Sequence, residues 1–243
     1  MRFTVILPVR LNSQRLEKKA LLRIKNIPLF VYTARQALKS DAQSVVVATD
    51  NQEIFETAKE FNINAIMTSE SHQSGTDRIK EAATLLRLGS NDLVINVQGD
   101  EPLIEPSLIN KLAELLTKSE AEFVSACSEF SNYHEYSNPN NVKVILDSNN
   151  FAITFSRSMI GNLNDENFID DLIYHHLGIY AYTVKQINDF CKIDSPKIEK
   201  VEKLEQMRAI FNNIPIKMIE YHGEEMIGVD TIEDFNKVKI LLG

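Results

Sequence analysis

The sequence predicts an α/β protein with a mostly parallel sheet and a smaller antiparallel lobe inserted near the middle of the chain. Short β-rich runs alternate with helix-like stretches up to residue 118 and again beyond residue 196, which is typical of a parallel sheet covered by helices. Between about residues 121 and 185 the strand-like runs follow one another closely, which indicates an antiparallel insertion. A chain of 243 residues can bury one large core, so we predict a single domain that carries this lobe.

The first half of the chain supplies most of the predicted parallel sheet. Apolar, β-rich runs predict strands at residues 2–9, 44–49, 64–68 and 93–98. Helix-like patterns between and after them predict helices at residues 28–39, 52–61, 76–88 and 106–118. The last of these begins with Pro106, which suits the first turn of a helix.

The second half contains the predicted lobe and then returns to the α/β pattern. Strands are predicted at residues 123–127, 142–147, 151–155 and 177–182, and the Asp-Ser-Asn-Asn run at 147–150 predicts a hairpin turn between two of them. A helix at 197–212, a strand at 216–221 and a helix at 232–242 complete the chain. The polar stretch 161–171 is the best candidate for a mobile loop.

Composition and motif searches exclude several classes of function. The net charge of −8 disfavours wrapping of nucleic acid, and no apolar run approaches the ~20 residues of a membrane span. Cys127 and Cys191 form no C-x-x-C pair, so we expect two reduced thiols in the cytoplasm. The run 3–9 contains Pro8 and is interpreted as a strand, not as a signal peptide. The sequence lacks the P-loop, G-x-G-x-x-G, H-E-x-x-H and G-x-S-x-G motifs.

Polar residues follow several predicted strands at the point where each strand ends. These ends are Pro8–Arg10, Thr49-Asp50, Gln98–Pro102 and, after a late apolar segment, Gly228–Asp230. Ligands of open α/β sheets bind at the carboxyl ends of the strands, so the four ends are expected to meet in one crevice. The alternative, that each is an ordinary turn, is weaker for four ends together than for any one of them.

The first loop and two aspartates predict a site for phosphates and a divalent cation. A span of ten residues contains four basic side chains in an otherwise acidic protein, namely Arg10, Arg15, Lys18 and Lys19. Such side chains bind phosphates well. Asp100 and Asp230 are hard oxygen ligands of the kind Mg²⁺ prefers, although the sequence does not establish that they meet. Gly99, in the Gln-Gly-Asp run, would allow the backbone to turn sharply beside a ligand.

Taken together and in order, these motifs resemble those of the 3-deoxy-manno-octulosonate (Kdo) cytidylyltransferase family. The resemblance extends nearly from end to end of the chain. Its specificity comes from the order and spacing of many pieces. The matching segments are I-L-P-V-R-L-N-S-Q-R-L at 6–16, V-V-A-T-D at 46–50, H-Q-S-G-T-D-R at 72–78, N-V-Q-G-D-E-P at 96–102, N-P-N-x-V-K-V at 138–144, F-S-R at 155–157, H-L-G-I-Y-A-Y at 176–182, L-E-Q-M-R at 204–208 and G-V-D-T-x-E-D at 228–234.

The resemblance implies a fold, a reaction and a set of site residues. It implies a Rossmann-like nucleotidyltransferase core, a lobe used for homodimerisation, and Mg²⁺-dependent transfer of CMP from CTP to Kdo with release of pyrophosphate. Lys19, Asp100 and Asp230 match the catalytic positions, and the two aspartates also match the Mg²⁺ ligands. The nucleotide-binding positions are Arg10, Arg15, Lys19, Ser74, Gly75 and Arg78, and the sugar-binding positions are Gln98, Arg157, His176, Tyr180, Glu205 and Gln206.

Some of these residues also have ordinary interpretations. Arg157 could be a solvated surface charge, and His176 could be a structural histidine. Glu205 lies on a predicted helix, where a carboxylate usually faces solvent.

The chain departs from the family pattern at two places. Glu17-Lys18 replaces Pro-Gly before the loop lysine, and Ile160-Gly161 replaces Ile-Pro before an acidic run at 165–171. These departures leave open a cytidylyltransferase for a Kdo variant such as 8-amino-Kdo, and a non-catalytic nucleotide- or sugar-binding homologue. A sugar-nucleotide glycosyltransferase is disfavoured by the basic first loop.

Overall fold

The structure is a computed structural model that describes residues 2–11, 16–72, 74–161 and 172–243. Three sequence predictions lie outside the described residues: the phosphate contact of Arg15, the acidic run at 165–171, and nearly all of the predicted mobile loop at 161–171. None of the helices in the described part of the chain has both the length and the apolar character needed to span a membrane.

The chain alternates strands and helices in its first half, as the sequence predicts. The strands are β1 (Phe3–Val9), β2 (Arg23–Ile24), β3 (Ile27–Pro28), β4 (Ser44–Thr49), β5 (Asn64–Met67), β6 (Leu93–Asn96), β7 (Phe123–Ser128), β8 (Lys143–Leu146), β9 (Ala152–Ser156), β10 (Tyr174–Thr183) and β11 (Ile216–Glu220). The α-helices are α1 (Leu29–Ala37), α2 (Gln52–Glu60), α3 (Gly75–Leu85), α4 (Pro106–Lys118), α5 (Tyr133–Ser137), α6 (Val184–Phe190), α7 (Lys197–Glu202), α8 (Met207–Phe211) and α9 (Ile232–Leu242). A short 3₁₀ helix spans Lys19–Leu21.

A single large sheet organises the molecule, in the order β11-β7-β10-β6-β1-β4-β5. β1 pairs in parallel with β4 and β6, β4 with β5, and β7 with β11. β10 runs antiparallel to both β6 and β7, so it is the reversed strand within this path through the described residues. The hairpin of β8 and β9 joins the sheet through β10. The predicted mostly parallel α/β fold is therefore confirmed.

Helices cover both faces of the sheet, as a buried parallel sheet requires. Alternate residues of β1 enter opposite layers, so that Val5 and Leu7 pack with α1, α2 and α4, while Ile6 packs with α3, α6 and α8. A third apolar cluster attaches the C-terminal helix: Val229, Phe235 and Val238 pack against Ile24 and Leu29. This packing carries the start of α9 to the loop that follows β1.

The structure corrects the predicted helix at 197–212. The helix stops at Glu202, because Lys203 adopts a left-handed conformation with φ 54° and the N–H of Leu204 donates to the carbonyl of Glu199 at 3.2 Å. Such a C-terminal cap usually involves glycine, which is absent here, so the sequence carries no signal for it. A new helix starts at Met207, which leaves Glu205 and Gln206 in the turn between α7 and α8.

The predicted lobe at 121–185 contains two kinds of structure. β7 and β10 belong to the central sheet, and the β8–β9 hairpin extends it antiparallel. The prediction also missed α5, which lies inside this region, and α6, which begins at its end. The use of the lobe for dimerisation stays a prediction.

Candidate active site

The strand ends and the inserted segments surround one cavity of about 1260 Å³. A cavity of this size can hold more than one small-molecule ligand. Its lining includes most of the residues that the resemblance singled out, namely Gly75, Gln98, Asp100, Arg157, His176, Tyr180, Glu205, Gln206 and Asp230. Two of the four predicted strand ends, Gln98–Pro102 and Gly228–Asp230, contribute residues to this lining, whereas Pro8–Arg10 and Thr49-Asp50 do not.

Lys19 joins the two predicted metal ligands. Its ammonium group contacts Asp100 Oδ2 and lies 2.8 Å from Asp230 Oδ1. Burial lowers the pKa of Lys19, but the two carboxylates outweigh burial, so its pKa lies above the ordinary value and the amine is charged at neutral pH. The aspartate side chains keep 30% and 35% of their surface exposed, which leaves room for a ligand.

Backbone contacts hold the two aspartates in this arrangement. The N–H of Val229 donates to the carbonyl of Asp100 at 2.9 Å. Asp234 is the N3 residue of the capping box at the start of α9. Its Oδ2 accepts hydrogen bonds from the N–H of Asp230 at 3.1 Å and from the N–H of Thr231 at 2.9 Å. The Asp230 carboxylate is thus fixed at the N-terminus of a helix that is itself packed against the core.

Glu101 lies beside this pair and was missed by the sequence analysis. Its carboxyl packs against Gly228, where an added Cβ would lie 2.5 Å from Glu101 Oε1. Burial, followed by the charges of Asp100 and Asp230, raises the pKa of Glu101 well above its usual range. The carboxyl therefore keeps its proton to a higher pH than an ordinary glutamate, and it adds less negative charge to the pair.

The donor chemistry of Asp100 and Asp230 fits Mg²⁺. The described part of the chain contains no cluster of three or more His, Cys, Asp or Glu side chains arranged around a common ion. Mg²⁺ does not require such a cage, because it is usually held by one or two carboxylates and completed by water and substrate phosphates. Asp100 and Asp230 meet this requirement, because both carboxylates are partly exposed and both contact the ammonium group of Lys19.

Ser74 and Gly75, which are predicted to bind the nucleotide, lie at the N-terminus of α3. Ser74 caps this helix by accepting the N–H of Asp77 at 3.1 Å, and Gly75 begins it beside Pro8. The N-terminus of an 11-residue helix favours anions through its free N–H groups. Arg10, half-buried nearby, has a pKa lowered by burial and then by the positive charge of Arg78.

Arg78, which is predicted to bind the nucleotide, forms a buried ion pair in the structure. Its side chain is fully buried, with Nη2 on the Asp50 carboxylate and Nη1 donating to Thr68 Oγ1 at 2.5 Å. These contacts tie α3 to the ends of β4 and β5. The contact of Arg78 with the nucleotide stays a prediction.

His176, which is predicted to bind the sugar, lines the cavity and has a defined tautomer. Ser125 Oγ donates its proton to the Ile179 carbonyl at 2.7 Å, so it must accept from His176 Nε2 at 2.9 Å. Nδ1 of His176 is then an acceptor that faces Gln206 Nε2 at 3.4 Å. Burial, and next the neighbouring His175, lowers the pKa of His176 to about 3, so the ring is neutral.

Glu205 links the turn between α7 and α8 to the start of α3. It is only partly exposed, and its Oε2 accepts the Thr76 hydroxyl at 2.7 Å. Burial raises its pKa. Its Oε1 lies 3.8 Å from Arg208 Nη2, and neither this atom nor the buried Tyr180 hydroxyl makes a hydrogen bond among the described residues. Buried polar atoms are normally paired, so these two are suited to hydroxyl groups of a ligand.

Supporting polar residues inside strands were the main omission of the sequence analysis. Asn96 is buried and accepts a hydrogen bond from Gln98 Nε2 at 3.1 Å, and Ser125 orients His176. A polar side chain in an otherwise apolar strand is the signal that could have found both.

Comparisons with known proteins agree with this geometry. A sequence model of the family described as "Cytidylyltransferase" matches residues 4–219. The chain is 41% identical over 237 residues to a 3-deoxy-manno-octulosonate cytidylyltransferase of a Nitratiruptor species, covering 96% of this chain and 97% of the relative. The chain belongs to the 3-deoxy-manno-octulosonate cytidylyltransferase family. Another member, from Neisseria meningitidis serogroup C, is 41% identical over 244 residues, covering 98% and 96% of the two chains.

Solved structures support the same family membership. A CMP:2-keto-3-deoxy-manno-octonic acid synthetase complexed with CTP matches with a TM-score of 0.88 and 30% identity, covering 100% of this chain and 98% of that one. A cytidylyltransferase from Leptospira borgpetersenii serovar Hardjo-bovis matches with a TM-score of 0.62 and 18% identity, covering 98% and 84%. The second match supports the fold alone, whereas the first also agrees with the Kdo cytidylyltransferase family.

Proposed function

We propose that this protein transfers the cytidylyl group of CTP to Kdo, with Mg²⁺, and releases CMP-Kdo and pyrophosphate. The observation that carries the proposal is the pairing of Asp100 and Asp230 on Lys19, because the two aspartates line a cavity that Arg157, His176 and Gln206 also line. The names of the family members and the CTP bound in a solved member support the choice of substrates.

The reaction needs little covalent chemistry from the protein. A sugar hydroxyl attacks the α-phosphorus, the bond to the departing pyrophosphate breaks, and the hydroxyl proton is lost. Positioning and charge neutralisation therefore supply most of the catalysis. Asp100 and Asp230 would hold the Mg²⁺, which when bound screens the two anionic substrates from one another and acidifies the hydroxyl.

Residues of this chain have distinct tasks in that scheme. Lys19 carries a full positive charge beside the carboxylate pair, and Arg10 follows the end of β1, so both can stabilise the charge that develops on pyrophosphate. Ser74 and Gly75 present the N-terminus of α3 to the nucleotide. Arg157 would pair with the sugar carboxylate, and Gln98, His176, Tyr180, Glu205 and Gln206 would hold its hydroxyl groups.

The homodimer and the cytoplasmic location belong to the same proposal. Three apolar side chains of the inserted lobe are exposed, which supports a protein–protein interface there: Ile153 on β9, Met159 after β9 and Leu172 before β10. The two cysteines are free thiols, as expected in a reducing compartment. Sedimentation of wild type and Ile153→Glu tests the dimer, which the substitution should dissociate.

A pyrophosphate-release assay tests the reaction itself. We expect release only when CTP, Kdo and Mg²⁺ are all present. A panel of UTP, ATP, 8-amino-Kdo and a sialic acid tests the choice of substrates. Turnover with the sialic acid and none with Kdo would overturn the assignment of the sugar, and tight CTP binding without release would indicate a non-catalytic homologue.

A further inference from the structure

A fully buried lysine supports the part of the cavity wall that carries Arg157. Lys143 lies on β8, and its side chain has no exposed surface. Its ammonium group donates to three backbone carbonyls, those of Asn138 at 2.8 Å, Asn141 at 2.9 Å and Arg157 at 3.0 Å. The lysine therefore joins the 138–141 loop to the end of β9.

These contacts explain why an amine occupies a position with no access to solvent. A buried charge is costly unless it is hydrogen-bonded, and the three carbonyls use all three donors of the ammonium group. Burial, followed by the charge of Arg157, lowers the pKa of Lys143 to about 8. An apolar side chain could fill the same volume, but it would not join the two segments.

Glu202 binds Arg157 through the backbone N–H of that residue. Its Oε2 accepts the backbone N–H of Arg157 at 3.0 Å, and both of its oxygens accept the Ser156 hydroxyl, at 3.2 and 3.3 Å. Glu202 is the last residue of α7, directly before the break at Lys203. The helix break that the sequence did not predict thus brings this carboxylate to the end of β9.

The backbone of Arg157 is consequently held at both of its polar groups. Its N–H is bound by Glu202, its carbonyl is bound by Lys143, and its Nη1 donates to the Pro139 carbonyl at 3.3 Å. Arg157, Asn138 and Asn141 all line the cavity. The arrangement fixes the base of the side chain, so it limits the directions in which the guanidinium can point.

We propose that Lys143 and Glu202 are positioning residues for the acidic sugar substrate, acting through Arg157. The inference rests on the proposed function, since it requires that Arg157 meet the sugar carboxylate. An arginine–carboxylate pair depends on orientation as well as charge, and a displacement of about 1 Å is enough to lose much of its benefit. The nucleotide subsite, at α3 and the β1 loop, shares neither contact.

The test is a comparison of Michaelis constants for the two substrates. In Lys143→Met and Glu202→Ala we expect the KM for Kdo to rise roughly tenfold while the KM for CTP changes less than about twofold. Glu202→Gln keeps an acceptor oxygen and should restore a near-normal KM for Kdo. Adding either substitution to Arg157→Ala should raise the KM for Kdo little further, because residues that act through one another are not additive.

Lys217→Met is the matched control. Lys217 also lies on a strand, contacts a backbone carbonyl, that of Asn149, and lies 4.8 Å from the centre of the Phe151 ring. It lies outside the cavity lining. This variant should keep the wild-type KM for both substrates, even if its unfolding midpoint in urea falls.

The outcomes separate the inference from the proposed function. Equal increases in both Michaelis constants, or an unchanged KM for Kdo in folded Glu202→Ala, would overturn the positioning role. Glu202 is partly exposed, so this variant decides the question if Lys143→Met does not fold. A wild-type protein without Kdo-dependent pyrophosphate release would overturn the proposed function, and the positioning role with it.

Discussion

Asp100 and Asp230 contact the same nitrogen, Nζ of Lys19, although they lie on segments far apart in the sequence. The hydrogen bond from Val229 N–H to the Asp100 carbonyl links the two segments directly. The single positive charge of Lys19 offsets only one of the two carboxylate charges, so the pair keeps a negative charge that favours a further cation. Both carboxylates remain partly exposed, so they would be able to hold the proposed Mg²⁺.

Removal of either carboxylate is predicted to abolish most activity without unfolding the protein. Asp100→Asn and Asp230→Asn should each lower kcat at least about 100-fold at saturating CTP and Kdo, because one charged ligand of the proposed Mg²⁺ is lost. Pyrophosphate release over a Mg²⁺ titration measures this effect. Far-UV circular dichroism should match wild type.

Asp194→Asn provides the control for this pair, since Asp194 is exposed and lies outside the cavity lining. It should behave as wild type at every Mg²⁺ concentration. Near-normal turnover of either site variant at limiting Mg²⁺ would show that the carboxylates do not hold the ion.

Gly99 is predicted to tolerate no side chain. An added Cβ would lie 2.6 Å from Val9 Cγ2 and 3.4 Å from the Pro8 carbonyl, so Gly99→Ala must push the end of β1 away from the loop that carries Asp100. We expect a loss of about 1–3 kcal/mol in the free energy of unfolding, typical of overpacking. Because Arg10 and Asp100 both shift, kcat should fall at least about tenfold.

Gly89→Ala is the matched substitution, because its nearest neighbour would be the flexible Asp92 side chain at 3.6 Å. Urea unfolding and initial rates of both variants test the contrast. If Gly99→Ala were as stable and as active as Gly89→Ala, the close contact at the end of β1 would be of no consequence.

The sequence predicted those features of the fold that a local pattern encodes. The bounds of β4, α4 and α9 agree with the prediction, since each has clear apolar periodicity and a proline or polar boundary. The break between α7 and α8 was not predictable, because a lysine adopts the left-handed conformation that usually marks a glycine. The resulting turn carries Glu205 and Gln206. Because this helix break was not predicted, the positions of these two residues in the site were not predicted either.

The site, like the fold, was predictable only where a local sequence pattern encodes it. The rule that ligands bind at strand ends correctly brought Asp100 towards Asp230, but their meeting on Lys19 depends on the packing of α9 against Ile24 and Leu29, which is tertiary. Arg78 shows what the sequence left out: the motif predicts contact with a ligand, and it gives no sign that the fold buries this arginine on Asp50. A motif does not show whether a residue is buried. The sequence therefore could not distinguish a residue that contacts the ligand from one that holds such a residue in place.

The buried pair of Arg78 and Asp50 is predicted to support stability and nucleotide binding together. Asp50→Ala leaves the fully buried guanidinium without its counter-charge, which should cost about 3 kcal/mol in the free energy of unfolding. Because Arg78 anchors the first turn of α3, the Kd for CTP should rise several-fold. Urea unfolding and calorimetry with CTP measure the two effects.

Glu114→Ala is the control for an ion pair that is not buried. Glu114 and Lys118 form an exposed pair on α4, so its loss should leave both the unfolding midpoint and CTP binding unchanged. An Asp50→Ala protein that unfolds at the same urea concentration as Glu114→Ala would contradict the structural role assigned to Arg78.

Stability is predicted to decline as the pH falls from 7 to 5, in part because of His176. Its pKa is about 3 in the folded state, whereas an unfolded histidine has a pKa near 6.5, so between these values the unfolded chain binds a proton that the folded chain does not. Stability therefore rises with pH through this window and is fully present above it. For His176 the loss by pH 5 is on the order of 2 kcal/mol.

Urea unfolding at pH 7, 6 and 5 measures the pH dependence, and His176→Gln isolates the contribution of this residue. The variant should be less stable than wild type at pH 7, because Ser125 loses its ring partner, yet it should lose less further stability on acidification. His134→Gln, at an exposed histidine that meets solvent in both states, should keep the wild-type dependence. The same acid-induced loss in His176→Gln as in wild type would mean that the ring is not held neutral between Ser125 and Gln206.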